Sequence, residues 1–301
     1  MPFDALIRLV LVLLATGAIG VGGMIVLSAI SLLRPPRMTD GKAVYRLHRL
    51  SPGDLGLTFE EISFDVGIRI AAWWIPAEGS KDTVMLIHGY ADAKVGSIAW
   101  APLLHAIGLN VLAVDLRRHG ESGGRFSTGG VLERTDISRV IDELKKTRPD
   151  QTERVILFGI STGAAVAAAV AADRSDIAAV VLESPFTDYK SAIVRHAKLA
   201  GMPGGPVLTA AVGLAQIIAR VNFDTARPTD TIPKVRCPIL AIVGTEDALL
   251  TDADREELRR VIGGAPNQFW LVPNAPHLLT MHTDPAEYAR RVEAFLSDRA
   301  G

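Results

Sequence analysis

The pentapeptide Gly159-Ile160-Ser161-Thr162-Gly163 sets one hydroxyl between two glycines, where the apolar run 155–158 gives way to an Ala-rich run. Gly-x-Ser-x-Gly between a buried strand and a helix is the pattern of a nucleophile elbow. So tight a turn leaves no room for side chains at its ends, so Gly159 and Gly163 are expected to be required. Ser161 is then lifted above the sheet at a helix N-terminus, where the helix end favours developing negative charge. The plain alternative is a helix N-cap, since Ser is common at helix starts without any catalysis. The strand before and the helix after favour the nucleophile.

A nucleophilic Ser needs a base, and the base needs an orienting acid, in the chain order Ser, then Asp or Glu, then His. Three histidines follow Ser161: His196, His277 and His282. His277 lies five residues after the apolar run 269–272, in a loop able to reach back to Ser161, and is the expected base. His282 is the reserve. His196 stands among charged neighbours on a helical stretch and reads as a solvated or lid residue. Asp247, three residues past Gly244 in the turn after the run 239–243, is the expected acid, with Glu246 pointing the other way. Glu183 and Asp188 follow the run 179–182 and are the alternative acids; Glu183 also reads as a buried carboxylate bracing loops. An oxyanion hole would use the backbone N–H groups of Thr162 and of Tyr90, the latter in the loop after "VMLIHG". His88 is expected to hydrogen-bond that loop. The chemistry is acylation of Ser161 followed by hydrolysis, with His277 carrying the proton. It needs no metal or organic cofactor. The lone Cys237 excludes an internal disulfide and a Cys-based zinc site, and before Pro238 it reads as a packed apolar residue.

These residues need a frame. Short apolar runs at 84–87, 111–114, 155–158, 179–182, 239–243 and 269–272 alternate with helical patterns at 98–107, 131–146, 161–172 and 285–296. That alternation predicts a parallel sheet with right-handed crossovers, its strands buried on both faces. Ligands bind such sheets at the carboxyl ends of the strands. His88, Asp115, Ser161, Glu183, Asp247 and His277 all stand just after a run. Upstream, 57–66 and 68–75 read as a hairpin turning at Asp65-Val66-Gly67. Between Glu183 and Pro238 no sheet strand is evident, and "GGPVLTAAVGLAQIIARV" is expected to form a helical cap or to pack onto the core.

Six stretches, "LIHGY", "VDLRRHGESGG", "VILFGISTGAA", "VVLESPF", "CPILAIVGTEDALLT" and "PHLLTMH", resemble successive landmarks of the α/β-hydrolase superfamily. The resemblance spans roughly residues 55–298. It is closest to membrane-anchored serine-aminopeptidase-like and alpha/beta-hydrolase-domain proteins. It implies a mostly parallel twisted sheet with helices on both faces, a small cap at about 185–235, and esterase, lipase or thioesterase activity as often as peptidase. Ser161 argues against dehalogenases and epoxide hydrolases, which carry Asp at the elbow. Two departures are visible. Arg118 stands where the loop Asp-x-Arg-Gly-x-Gly-x-Ser has its first Gly, which changes the pocket rim, and Pro276 replaces the Gly usual before the His.

The 301 residues, 49% hydrophobic and 22% charged, suffice for one large domain or two small ones. A net charge of -1 gives no electrostatic footprint for nucleic acid. The mean hydropathy of +0.26 owes much to residues 9–33, which carry no charge. As a helix that segment is roughly 37 Å long, enough to cross a ~30 Å hydrocarbon core with some tilt. It is too long for the apolar part of a signal peptide, and it lacks the polar face of a soluble core helix. Glycines 17, 20, 22 and 23 would permit close helix packing. Arg34, Arg37, Lys42, Arg46 and Arg49 follow the span while only Arg8 precedes it, which puts the C-terminal domain on the cytoplasmic side. The expected organisation is an anchor and flank at 1–37 and a hydrolase domain at 38–301. The expected function is cleavage of a carboxylic ester or thioester, of a small molecule or of a lipid-like acyl substrate suggested by an apolar cap beside an anchor. A serine aminopeptidase, with Glu183 and Asp188 holding the substrate amine, and a non-catalytic binding protein are the alternatives.

Overall fold

A computed structural model describes residues 3–201 and 204–297. Its sheet has eight strands: β1 (Glu60–Asp65), β2 (Arg69–Ile75), β3 (Asp82–Ile87), β4 (Asn110–Val114), β5 (Arg154–Ile160), β6 (Ile177–Glu183), β7 (Ile239–Gly244) and β8 (Gln268–Val272). Their spatial order is β1-β2-β4-β3-β5-β6-β7-β8. β1 and β2 form the antiparallel hairpin, β2 runs antiparallel to β4, and every pair from β4 to β8 is parallel.

Among the described residues, twelve α-helices accompany the sheet. The first seven are α1 (Phe3–Leu33), α2 (Asp40–Leu47), α3 (Lys94–Ser97), α4 (Ala101–Ala106), α5 (Glu133–Thr147), α6 (Thr162–Asp173) and α7 (Tyr189–Leu199). The remaining five are α8 (Pro206–Ala219), α9 (Pro228–Thr231), α10 (Asp252–Ile262), α11 (Thr280–Thr283) and α12 (Pro285–Ser297). The helix expected over 98–107 is broken. Pro102 sits in the first turn of α4, where a missing N–H is harmless, and a 3-10 turn joins α3 to α4 instead. The short amphipathic α2 was not anticipated.

The apolar runs explain the layering. Met85, Ile87, Leu112, Val114 and Leu157 face one core together with α5 and α6. Val84, Leu86, Val111, Ile156 and Phe158 face the other, with α4 and α12. Helix α6 is buried from Thr162 to Ala171, and its alanines let it lie close on β5 without loss of helix propensity. The chain leaves β3 toward β4, then returns to the other side of β3 as β5. The direction of winding therefore reverses between β3 and β5, and a crevice opens at their carboxyl ends.

Helix α1 is about 46 Å long at ~1.5 Å per residue. Its segment Val10–Leu33 is long and apolar enough to cross a membrane, and it lies near the N-terminus, as a signal sequence also would. The two halves differ. Exposed side chains dominate through Val21, whereas Gly22, Ile25, Ser28 and Leu32 are half-buried and Ala29 and Leu33 fully buried. These positions recur at helical spacing and face the domain. The C-terminal end of α1 packs against α8, which buries Leu208, Ala211, Val212 and Ala215 in the same core. Among the described residues, 184–238 contain no strand. The end of α1 is also tied down by polar contacts. The Ser127 amide donates to the Leu33 carbonyl at 2.8 Å. The Arg37 guanidinium donates to the carbonyls of His119 (3.3 Å), Gly120 and Ser122 (2.8 Å).

Candidate active site

Ser161 follows β5 directly and has φ 52° and ψ -112°, a conformation that L residues rarely hold. Such backbone costs on the order of 1–3 kcal/mol and persists only where the surroundings impose it. Here they do. A Cβ on Gly159 would lie 2.2 Å from the Gly163 carbonyl oxygen, and one on Gly163 would lie 2.0 Å from the Ile87 carbonyl oxygen. The Ser161 amide donates to the Glu183 carbonyl of β6 at 2.8 Å. Two neighbouring strands thus clamp the turn.

Asp247 and His277 arrive on nested loops. The Glu246 amide donates to the Ala275 carbonyl at 3.1 Å, and a Cβ on Gly244 would lie 2.0 Å from that same oxygen. The result is a hydrogen-bonded line. Asp247 Oδ2 accepts from His277 Nδ1 at 2.7 Å, and His277 Nε2 stands 3.2 Å from Ser161 Oγ. Because the carboxylate accepts, the ring proton sits on Nδ1 and the lone pair of Nε2 faces the hydroxyl. Asp247 Oδ1 accepts the Leu249 amide at 2.9 Å, which fixes the acid's rotamer. Asp247 is buried, Ser161 is 9% exposed, and the His277 side chain is 23% exposed, so the line opens to solvent at the His. Thr162 is the first residue of α6, where an N–H has no intrahelical partner. Gly89, the residue before Tyr90, lies against Ser161, and a Cβ on Gly89 would lie 3.3 Å from that of Ser161.

Residues 78–227 match the family described as Serine aminopeptidase, S33. The Pyrococcus furiosus esterase Pf2001 superposes with a TM-score of 0.71 at 26% identity, covering 90% of this chain and 99% of that one. The chain is an α/β hydrolase. Relatives are similar over most of their length. The Bacillus subtilis protein YqkD is 24% identical over 237 residues, 77% of this chain and 76% of the relative. The Arabidopsis thaliana alpha/beta hydrolase domain-containing protein WAV2 is 27% identical over 213 residues, 67% of this chain and 66% of the relative.

The other titratable groups near the strand ends of the hydrolase are engaged elsewhere. His88 is fully buried, its Nδ1 donating to the Gly89 carbonyl at 2.7 Å and its Nε2 accepting the Leu116 amide at 2.9 Å. Burial, reinforced by the neighbouring His119, pushes His88 down to about 3. His119 packs edge-on against it at 4.9 Å, bonds the Arg117 carbonyl and the Ala91 amide, and is likewise lowered by burial. Two neutral imidazoles therefore brace the loops after β3 and β4. Glu183 is fully buried and accepts from Thr280, from Tyr288 (2.8 Å) and from Ser184 (3.2 Å). Burial pushes Glu183 up to about 7 in spite of these donors. Asp188 caps α7 by accepting the Ser191 amide at 2.8 Å. Glu246, His196 and His282 are exposed. Among the described residues, no group of three His, Cys, Asp or Glu side chains is placed to hold a metal ion.

The Tyr90 side chain has a role that sequence reasoning missed. Its hydroxyl donates to the Ser31 carbonyl of α1 at 3.0 Å, and its ring lies 6.1 Å from that of His196 on α7. One residue thus touches the loop beside Ser161, the long helix and the 184–238 region. A main-chain acceptor nearly sixty positions upstream leaves no sequence signal. Arg118, by contrast, was visible as a departure, and its φ of 65° is one that Gly adopts freely.

Proposed function

We propose that this hydrolase cleaves carboxylic ester or thioester bonds through Ser161, His277 and Asp247. The observation that carries the reading is the aligned pair of contacts from Asp247 through His277 to Ser161. His277 Nε2 takes the Ser161 proton as Oγ attacks the substrate carbonyl. The oxyanion forms between the amides of Thr162 and Tyr90, held by the elbow glycines Gly159 and Gly163. The tetrahedral intermediate collapses, His277 returns the proton to the leaving alcohol or thiol, and water repeats the sequence on the acyl-enzyme. The likeness to an archaeal esterase over nearly all of that protein supports an ester substrate.

The family description favours a second reading, a serine aminopeptidase. Such an enzyme must hold a substrate ammonium with free carboxylates. Glu183 is enclosed by three hydroxyls and Asp188 is spent on a helix cap, so neither is free to serve. The ester reading is therefore preferred. A binding protein without catalysis would have no use for the strained Ser161 backbone.

Helix α1 is proposed to remain as a single membrane span with the hydrolase domain on the cytoplasmic side, and 38–301 to be that domain with its cap at about 185–235. Removing α1 as a signal peptide would strip Ala29 and Leu33 from the core. A lipid-like acyl substrate suits a site whose rim residue Tyr90 touches the span. The test is labelling with a fluorescent fluorophosphonate, followed by matched ester, thioester and aminoacyl panels. Wild type is expected to label and Ser161→Ala to remain dark. A folded wild type that does not label would end the catalytic reading.

A further inference from the structure

Away from Ser161, the last turn of α1 meets the C-terminal end of α8 and leaves a crevice of about 230 Å³. Ile30, Leu33, Phe126 and Ile218 give it an apolar floor, and Arg34 and Arg125 stand at its rim. Arg118 does not line the crevice but lies near it, its pKa lowered by burial and then by the charges of Arg37 and Arg34. Several arginines elsewhere are paired with carboxylates, as Arg117 is with Asp136, Arg134 with Asp173, Arg148 with Glu60 and Arg195 with Asp254. Arg34, Arg118 and Arg125 have no carboxylate partner among the described residues. Two guanidinium groups without a carboxylate partner at the rim of an apolar slot, Arg125 lying over the Phe126 ring, call for an anion joined to hydrocarbon.

We propose that this crevice seats an anionic phospholipid of the bilayer that α1 enters, its phosphate against Arg34 and Arg125, with Arg118 adding positive charge nearby. The proposal rests on the reading of α1 as a membrane span. Guanidinium forks match phosphate oxygens in pairs, as a lone ammonium does not. The volume equals that of roughly eight water molecules at ~30 Å³ each, enough for a phosphate and its first carbons but not for two chains. The chains must leave along the exposed apolar flanks of the helices, where Leu27 of α1 is 67% and Ile217 of α8 is 74% exposed. Helix α8 has no charged side chain from Pro206 to Ala219, so nothing on it repels hydrocarbon. A soluble phosphate would satisfy the rim and leave the floor wet. A lipid satisfies both.

The experiment is native mass spectrometry of the full chain in detergent with equal dioleoyl phosphatidylglycerol and dioleoyl phosphatidylcholine. Wild type is expected to retain the phosphatidylglycerol ~10-fold or more over the phosphatidylcholine. The triple variant Arg34→Gln, Arg118→Gln, Arg125→Gln should lose that preference while keeping its thermal midpoint. Equal retention of both lipids by wild type, or an undiminished preference in the folded triple variant, would overturn the proposal. So would retention of glycerol phosphate as strong as that of a short-chain phosphatidylglycerol, which would assign the site to soluble anions. Alkaline extraction of membranes separates the premises. Release of the chain would remove the span and the lipid site together, whereas a chain that stays in the membrane but shows no preference loses the lipid site alone.

Discussion

Ser161 is the residue at which local cost and the proposed chemistry meet. Its backbone conformation is unfavourable, and the 3.2 Å contact with His277 is loose, as is usual before substrate is bound. Asp247 is expected to act by fixing the His277 tautomer. Asp247→Asn should therefore cut kcat by ~10³–10⁴-fold with little change in KM, measured on a short-chain ester. An equal loss through KM would mean that Asp247 binds substrate instead. His88 makes the complementary case of a histidine that burial holds neutral through mildly acid pH. Its folded-state pKa of about 3 lies below the ordinary 6.5, so between those values the unfolded chain binds more protons than the folded one. Its contribution to stability is present above pH 6.5 and is lost as pH falls. Wild type should be more stable than His88→Asn at neutral pH, with the gap in urea midpoints shrinking toward about pH 4. A gap that stays constant with pH would show that His88 is not the neutral brace described.

At the scale of elements, the sheet was legible because strands buried on both faces keep an unbroken apolar run. The same signal located the loops bearing Asp247 and His277. It could not tell that Gly244 and Ala275 nest those loops together, since the contact is backbone to backbone. Nor did periodicity reveal that α8 would lie on α1, because an all-round apolar helix does not say which face is covered. The helix expected at 98–107 failed at Pro102, where local backbone chemistry outweighed apolar spacing. The elbow itself is testable as a packing element. Gly163→Ala puts a methyl group 2.0 Å from the Ile87 carbonyl oxygen, which is backbone and cannot step aside. It should destabilise the protein by ~3 kcal/mol or more, read by chemical denaturation. A loss below ~1 kcal/mol would mean that β3 and α6 can move apart enough to admit a methyl group.

The whole molecule joins a long helix to a catalytic body without a loose hinge. Arg37 satisfies three carbonyls of the loop between β4 and α5, and Leu33 is buried in the core. Arg37→Ala should cost ~2 kcal/mol, and loss of the whole segment before residue 40 considerably more. Thermal melts of the full chain and of a chain beginning at residue 40 would measure both. Identical midpoints would show that the segment is a dispensable appendage.

The Tyr90 bridge to Ser31 then acquires a geometric meaning. A domain on a slack linker sweeps a volume and meets its targets at any angle and height. A domain bolted to a rod, the membrane span proposed for α1, does not. Its reactive hydroxyl travels in a plane, at a constant elevation and a constant tilt, as the rod drifts sideways through the lipid. Only bonds presented at that elevation come within reach. The rod becomes a depth gauge, and lengthening or shortening α1 by one turn on its bilayer side would select a different layer of the membrane interface.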